Sequence, residues 1–336
     1  MNISFFDDKP NVDELDFKLD ILEKIKKINI YELNNLLFYG VSTCGKTTKI
    51  YALLASIFDK KVYDLKNITF EEDRKSMIYK ASIYHVEVDP INLGSNERLF
   101  ISSFLKSYSE TKNIGLNIPK IILIKNADKL SKISQLALRR IIEKNSYTSR
   151  FIFEVSNLSN FTEPLISRCL KIRVRLPNIN EIKLCLKNFC IRKGFTISDN
   201  KINEIINESN KINYIYDLKK IFGFLRYYLT TNKNFKFLYY DKFFEIINFI
   251  KQKKISFITL QKIRDIINEM YINLVSMEEL LFFIFNYLSN IHKDDNIFIY
   301  KLLELTVNCD NKFKKGNKGC LHLEYYIVSI INLMHN

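Results

Sequence analysis

Short apolar segments of strand length alternate with stretches of helical period through the first half of the chain. Leu36–Tyr39, Tyr84–Val88, Ile121–Ile124, Phe151–Val155 and Leu170–Val174 are the strand-length segments. Between them, Thr47–Phe58 and Ser134–Lys144 repeat apolar residues every three or four positions, the spacing that gives a helix one apolar face. Strands alternating with helices predict a parallel five-stranded sheet with helices on both faces. Beyond Pro177 the pattern changes: no proline follows, and the glycines are Gly194, Gly223, Gly316 and Gly319. A segment so poor in the residues that punctuate sheets and tight turns predicts packed helices. The polar cluster Thr230–Lys236 divides these helices. The expected organisation is an α/β domain at 1–176, a small helical domain at 177–232 and an all-α domain at 233–336.

Composition narrows the class. The 336 residues are 47% apolar, with 51 Lys and Arg against 37 Asp and Glu, a net charge of +14. This is too apolar for a disordered chain, and no apolar run free of charge reaches the length of a membrane span. The first residues (MNISFFDDKP) lack the layout of a secretory signal, so no membrane association and no secretion are expected. Cysteines 44, 169, 185, 190, 309 and 320 follow no metal-site spacing and read as reduced thiols. The positive charge fits a polyanionic partner, although enrichment in Lys, Ile and Asn accounts for part of it as compositional drift.

Residues 40–47, Gly-Val-Ser-Thr-Cys-Gly-Lys-Thr, match G-x-x-x-x-G-K-[ST] in full, after the apolar segment Leu36–Tyr39 and before the helical stretch. In that context Gly40, Val41, Ser42, Thr43, Cys44, Gly45, Lys46, Thr47 and Thr48 are candidates to hold a nucleotide. The glycines let successive backbone N–H groups converge on phosphates, Lys46 supplies a point charge, and the Thr47 hydroxyl can join a Mg²⁺ shell. ATP or ADP with Mg²⁺ is the expected ligand. Such sites usually carry Asp-Glu at the end of a second apolar strand. Here Ile121–Ile124 runs into Lys125-Asn126-Ala127-Asp128. Lysine cannot ligate a cation and asparagine cannot take a proton from water. Asp128, three residues late, is expected to pair locally. A site that binds nucleotide with little or no turnover of its own follows.

The stretch Lys129–Lys144 (KLSKISQLALRRIIEK), the strand Phe151–Asn157, and Pro164-Leu-Ile-Ser-Arg-Cys169 together resemble small subunits of replication factor C, the sliding-clamp loader of the AAA+ class. Tyr84–Pro90, Gly94 and Glu97-Arg98, with weaker echoes at Asn308–Asp310 and Cys320–Glu324, resemble the small subunit with a degenerate ATP site. The resemblance covers about 40 to 330. It implies an AAA+ P-loop domain, a helical lid and a helical collar. It also implies a hetero-pentamer with other clamp loader subunits, a sliding clamp and primer-template DNA as partners. Carried over by position, Arg168 would be an arginine finger reaching a neighbouring subunit's nucleotide. Asn157 would be sensor 1, Lys219 would take the sensor 2 arginine's place, and Arg98 would contact DNA phosphates. Nuclear localisation is implied for a cellular protein and a viral replication site for a viral one. Two other readings remain open: an autonomous DNA-dependent AAA+ ATPase, and a structural module with a vestigial P-loop.

Overall fold

A computed structural model of the chain describes residues 9–10, 12–16, 19–72, 75–112, 118–210, 217–231, 240–252, 256–273, 275–315 and 319–335. They form two compact units, 1–202 with 217–222, and 203–216 with 223–336.

In the first unit β1 (Asn35–Tyr39), β2 (Lys66–Glu72), β3 (Lys75–Ala81), β4 (His85–Val88), β5 (Lys120–Ile124), β6 (Ser149–Val155) and β7 (Cys169–Arg173) make one sheet. Its order is β2-β3-β4-β5-β6-β1-β7. The five strands expected from the apolar segments, β4, β5, β6, β1 and β7, are all present and parallel. The sheet is nevertheless larger than the five parallel strands predicted, because β2 and β3 extend it as an antiparallel hairpin. KNITFEE alternates Ile68 and Phe70 with polar residues, and in KSMIYKA the apolar Met77, Ile78 and Tyr79 sit between polar flanks with Met77 buried and Ile78 exposed, so neither forms a long apolar run. That is the signature of a strand with one face wet. Register sets Phe70 opposite Met77 and Ile68 opposite Tyr79. Phe70 and Tyr79 pack on Phe104, with ring centroids 5.0 and 4.6 Å away.

Side chains alternate across the sheet, so the central strands β1, β5 and β6 feed two cores. Leu37, Ile122, Phe151, Phe153 and Val155 face one side, with Phe100, Leu105, Leu138 and Ile142. These helical residues come from Lys132–Lys144 and from a helical run, Glu97–Phe100 and Lys106–Ser109, joined by a π-helical Ile101–Leu105. Leu36, Phe38, Ile121, Leu123 and Ile152 face the other side, with Ile50, Leu53 and Leu54 of the helix Lys46–Ile57. Helices thus cover both faces of a sheet whose strands β4, β5, β6, β1 and β7 run parallel, the α/β layering that the strand–helix alternation predicts.

The second unit is helical: Tyr240–Ile250, Phe257–Ile272, Met277–Ile291, Asn296–Lys315 and Gly319–His335. Phe243, Ile247, Ile267, Leu281, Ile284 and Ile330 are among its buried core, and the buried Tyr326 hydroxyl lies 2.9 Å from Thr306 Oγ1. The basic residues of 311–315 continue the helix Asn296–Lys315, since no Gly or Pro interrupts 296–315. Residues 316–318 lie outside the described residues, as do most of 230–236. No helix among the described residues is long and apolar enough to cross a membrane.

One buried group of the first unit has a consequence for stability. His85 is 1% exposed, with Nδ1 2.7 Å from Ser82 Oγ and its ring edge-on to Tyr51. Burial lowers its pKa to about 4, opposed by the Glu87 charge and aided by that of Lys125. The unfolded chain takes up this proton near the ordinary value of about 6.5. The contribution is therefore intact above that pH and is lost as pH falls toward 4, by at most about 3 kcal/mol. Urea unfolding from pH 7 to 4.5 should show wild type losing stability faster than His85→Asn. Parallel pH profiles would disprove it.

Candidate functional site

The loop between β1 and the helix Lys46–Ile57 is shaped by its glycines. Gly40 has φ +157°, and a Cβ there would stand 2.1 Å from the Val174 carbonyl oxygen. Thr43 and Gly45 take φ +65° and +84°, left-handed turns of the kind that aim successive N–H groups into one concavity. Val41, Ser42 and Thr48 are exposed, Thr43, Gly45 and Thr47 half-buried, and Cys44 buried. Burial raises the Cys44 thiol pKa, with Lys46 and Lys49 opposing, so this cysteine packs and is not a nucleophile. Lys46 is 3% exposed. Its ammonium donates to the carbonyls of Gly40 and Val41, each at 2.9 Å, and to Ser156 Oγ at 3.2 Å.

Beneath Thr47 the parallel register lines up groups from three neighbouring strands. His85 pairs with Ile121 and Glu87 with Leu123. Ile121, Leu123 and Ile152 point toward the P-loop helix, and alternation carries Glu87, Lys125 and Glu154 to that face. Lys125, at the position where an acid was expected, pairs with Glu87 (Nζ–Oε1 2.9 Å). The Tyr51 hydroxyl also donates to Glu87. Glu154 accepts from Thr47, whose Oγ1 is 3.0 Å from each carboxylate oxygen. Burial raises the Glu154 pKa, offset by the Thr47 hydrogen bond and the Lys46 and Lys125 charges.

The other residues singled out fall as follows. Asn126 has φ +45° and donates to Asp89 Oδ2 at 3.0 Å. Asp128 is buried and accepts from the Ser156 backbone N–H at 3.2 Å, a partner 28 residues along the chain at the end of β6 and not the local one expected. Asn157 Oδ1 accepts from the Ser159 N–H at 3.1 Å and hydroxyl at 2.8 Å. This is an Asx turn, and the preceding Ser156 is the residue that meets Lys46. Arg168 follows the short helix Glu163–Ile166. It donates to the Pro164 carbonyl at 2.6 Å and pairs with Glu143, which also accepts from Arg139 at 3.0 Å. The Arg139 hydrogen bond and the Arg168 charge hold the Glu143 carboxyl below its usual pKa. Arg98 and Lys219 are exposed. Asp217 accepts from the Lys219 N–H at 2.8 Å, at the start of the helix Leu218–Thr231.

Glu87, Glu154 and Ser156 were not read as site residues from the sequence. The signal available was an acid within otherwise apolar strand segments, HVEV and FIFEV.

No family model matches the chain. In sequence it is 25% identical to "Replication factor C subunit 5" of Schizosaccharomyces pombe, over 93% of this chain and 91% of that one. It is 25% identical to "Replication factor C subunit 3" of Arabidopsis thaliana, over 94% and 93%. With "Replication factor C subunit 3" of Homo sapiens it shares 33% identity over 52% of this chain and 51% of that protein. Similar solved structures include a Thermotoga maritima RuvB Holliday junction branch migration motor (17% identity, TM-score 0.45, 80% of each chain). Another is AMPPCP-bound DnaA from Aquifex aeolicus (12%, TM-score 0.47, 98% and 99%).

Proposed function

From the similarity to replication factor C subunits 3 and 5, which extends along nearly the whole chain, we propose that this protein is a clamp loader subunit acting in DNA replication. On this reading it works in a hetero-pentamer with sister subunits, engages a sliding clamp and primer-template DNA, and is nuclear like a eukaryotic replication protein. Residues 1–176 would be the nucleotide domain, 177–232 the lid and 233–336 the oligomerising collar.

The observation that carries the reading is the combination of that similarity with a formed P-loop. Its backbone, Lys46 and Thr47 fit the phosphates of ATP or ADP; bound Mg²⁺ would neutralise phosphate charge. Turnover by the subunit itself is not part of the proposal. Lys125 is tied to Glu87 and Asn126 to Asp89, so the end of β5 offers no carboxylate to polarise water. Arg168 is proposed to act in the neighbouring site. Lys219 would add charge near the phosphates, Asn157 would serve at the strand end, and exposed Arg98 would meet DNA phosphates in a salt-dependent, sequence-independent contact.

The test is purification of the chain with candidate sister subunits and clamp, followed by nucleotide binding and turnover on the chain alone. Stable co-purification is expected, with ATP bound but not hydrolysed. Lys46→Ala should weaken binding about 10- to 100-fold, the worth of a charge-assisted hydrogen bond. Robust turnover by the isolated chain, abolished by Lys46→Ala, would support an autonomous ATPase instead. No binding, and assembly indifferent to Lys46→Ala, would support a vestigial loop.

A further inference from the structure

The carboxylate expected at the end of β5 is absent, yet one is present one strand nearer the P-loop. β6 lies between β5 and β1 in the sheet, and Glu154 stands one residue before its end. Both of its oxygens are 3.0 Å from Thr47 Oγ1, the hydroxyl offered to a divalent cation. Among the described residues no cation lies within ion-pair distance of Glu154. Lys46 is committed to loop carbonyls and Ser156, and Lys125 to Glu87. An ionised carboxylate whose one direct contact is a neutral donor, with Lys46 and Lys125 acting on it only from beyond ion-pair distance, is incompletely compensated in a half-buried strand position. A hard divalent cation bridging it to phosphate oxygens supplies that compensation, because Mg²⁺ is typically bound by one or two carboxylates together with substrate phosphates and water.

We infer that Glu154 is the cation-holding carboxylate of this site, moved from the end of β5 to β6, and that it makes nucleotide binding dependent on Mg²⁺. The inference rests on the nucleotide reading above and deepens it. It also separates two properties usually found together: the cation seat is kept on Glu154, while the water-activating position stays disabled at Asn126.

Without the cation, Glu154 faces the phosphates as a like charge; with it, Glu154 becomes attractive. Removing the carboxylate therefore has opposite effects in the two conditions. Calorimetric titration of ATP into the full chain, in Mg²⁺ and in EDTA, reads this directly. Glu154→Gln should bind ATP about 10- to 100-fold more weakly than wild type in Mg²⁺, yet as tightly as wild type or tighter in EDTA. Mn²⁺ in place of Mg²⁺, followed by electron paramagnetic resonance, should show less nucleotide-dependent metal retention in the variant. Thermal unfolding of the variant without nucleotide checks its fold. If Glu154 only orients the Thr47 hydroxyl, both conditions shift together and the ratio of affinities is unchanged; that result overturns the inference and leaves nucleotide binding standing. A wild-type chain that binds ATP in neither buffer overturns both readings.

Discussion

If Arg168 acts in a neighbouring subunit's site as proposed, Arg168→Ala is expected to slow ATP turnover at that site by about 10³- to 10⁵-fold, the usual worth of an arginine finger, with the complex still assembled. The side chain is close to free for that task. Its pair with Glu143 lies at the surface, 31% and 41% exposed, and surface pairs of this kind contribute only about 0–1 kcal/mol. Glu143 keeps Arg139 as a partner when Arg168 leaves. Swinging the guanidinium toward a neighbouring triphosphate therefore strands no carboxylate. The adjacent Pro164 carbonyl and Ser167 hydroxyl, 2.6 and 3.3 Å from Nη1, hold the group near the turn that leads into β7. Arg168→Lys should recover little, since a point charge lacks the planar fork. Glu143→Gln should leave turnover within about tenfold of wild type, because it removes only a weak surface pair. Single-turnover hydrolysis in the reconstituted complex, with the other sites inactivated, isolates the relevant nucleotide. Unchanged turnover in Arg168→Ala would remove the proposed role.

The parts of the molecule that were legible in the sequence are those where one local signal dominates. β5 and β6 are buried on both faces and read as apolar runs, Lys120–Ile124 and Ser149–Val155. The P-loop declares itself through two glycines and a lysine at fixed spacing. The hairpin β2–β3 was not legible because its face is mostly exposed: of fourteen residues only Met77 is buried. A short alternation in β2 and three apolar residues between polar flanks in β3 do not stand out from loop sequence. The row Glu87, Lys125 and Glu154 was hidden for a different reason. Each residue is 29 or more positions from the next in sequence, and only the parallel register brings them to one face. Local motif logic finds the missing acid after β5 and cannot find its replacement on a strand that inserts between. Asn157 is a related case. Strand end and residue type point to it, but alternation along β6 and the Asx turn at Ser159 leave Ser156 facing Lys46.

Gly40→Ala is expected to destabilise the first unit by about 3 kcal/mol or more, toward the upper end for an overpacked site. The cause is steric and local. The added Cβ would stand 2.1 Å from the Val174 carbonyl oxygen and 3.2 Å from its carbonyl carbon, both backbone atoms with no rotamer to change. Neither side can retreat. The Gly40 N–H donates to the Val155 carbonyl at 3.3 Å, tying the loop to β6, and the Val174 N–H donates to Tyr39 at 2.8 Å, tying the β7 extension to β1. Relieving the clash means breaking a junction where three parallel strands meet, and it shifts the carbonyl of Gly40 that accepts from Lys46. Gly45→Ala is the matched control. Its φ is +84° and the nearest atom to an added Cβ is Lys49 Nζ, the end of a long side chain at an ordinary contact distance of 3.6 Å. That substitution faces only the left-handed penalty of about 1–2 kcal/mol. Urea unfolding of the two variants beside wild type should therefore give a clearly larger loss for Gly40→Ala. Equal losses, or a Gly40→Ala midpoint close to wild type, would mean that the β1–β7 junction yields where this packing holds it closed.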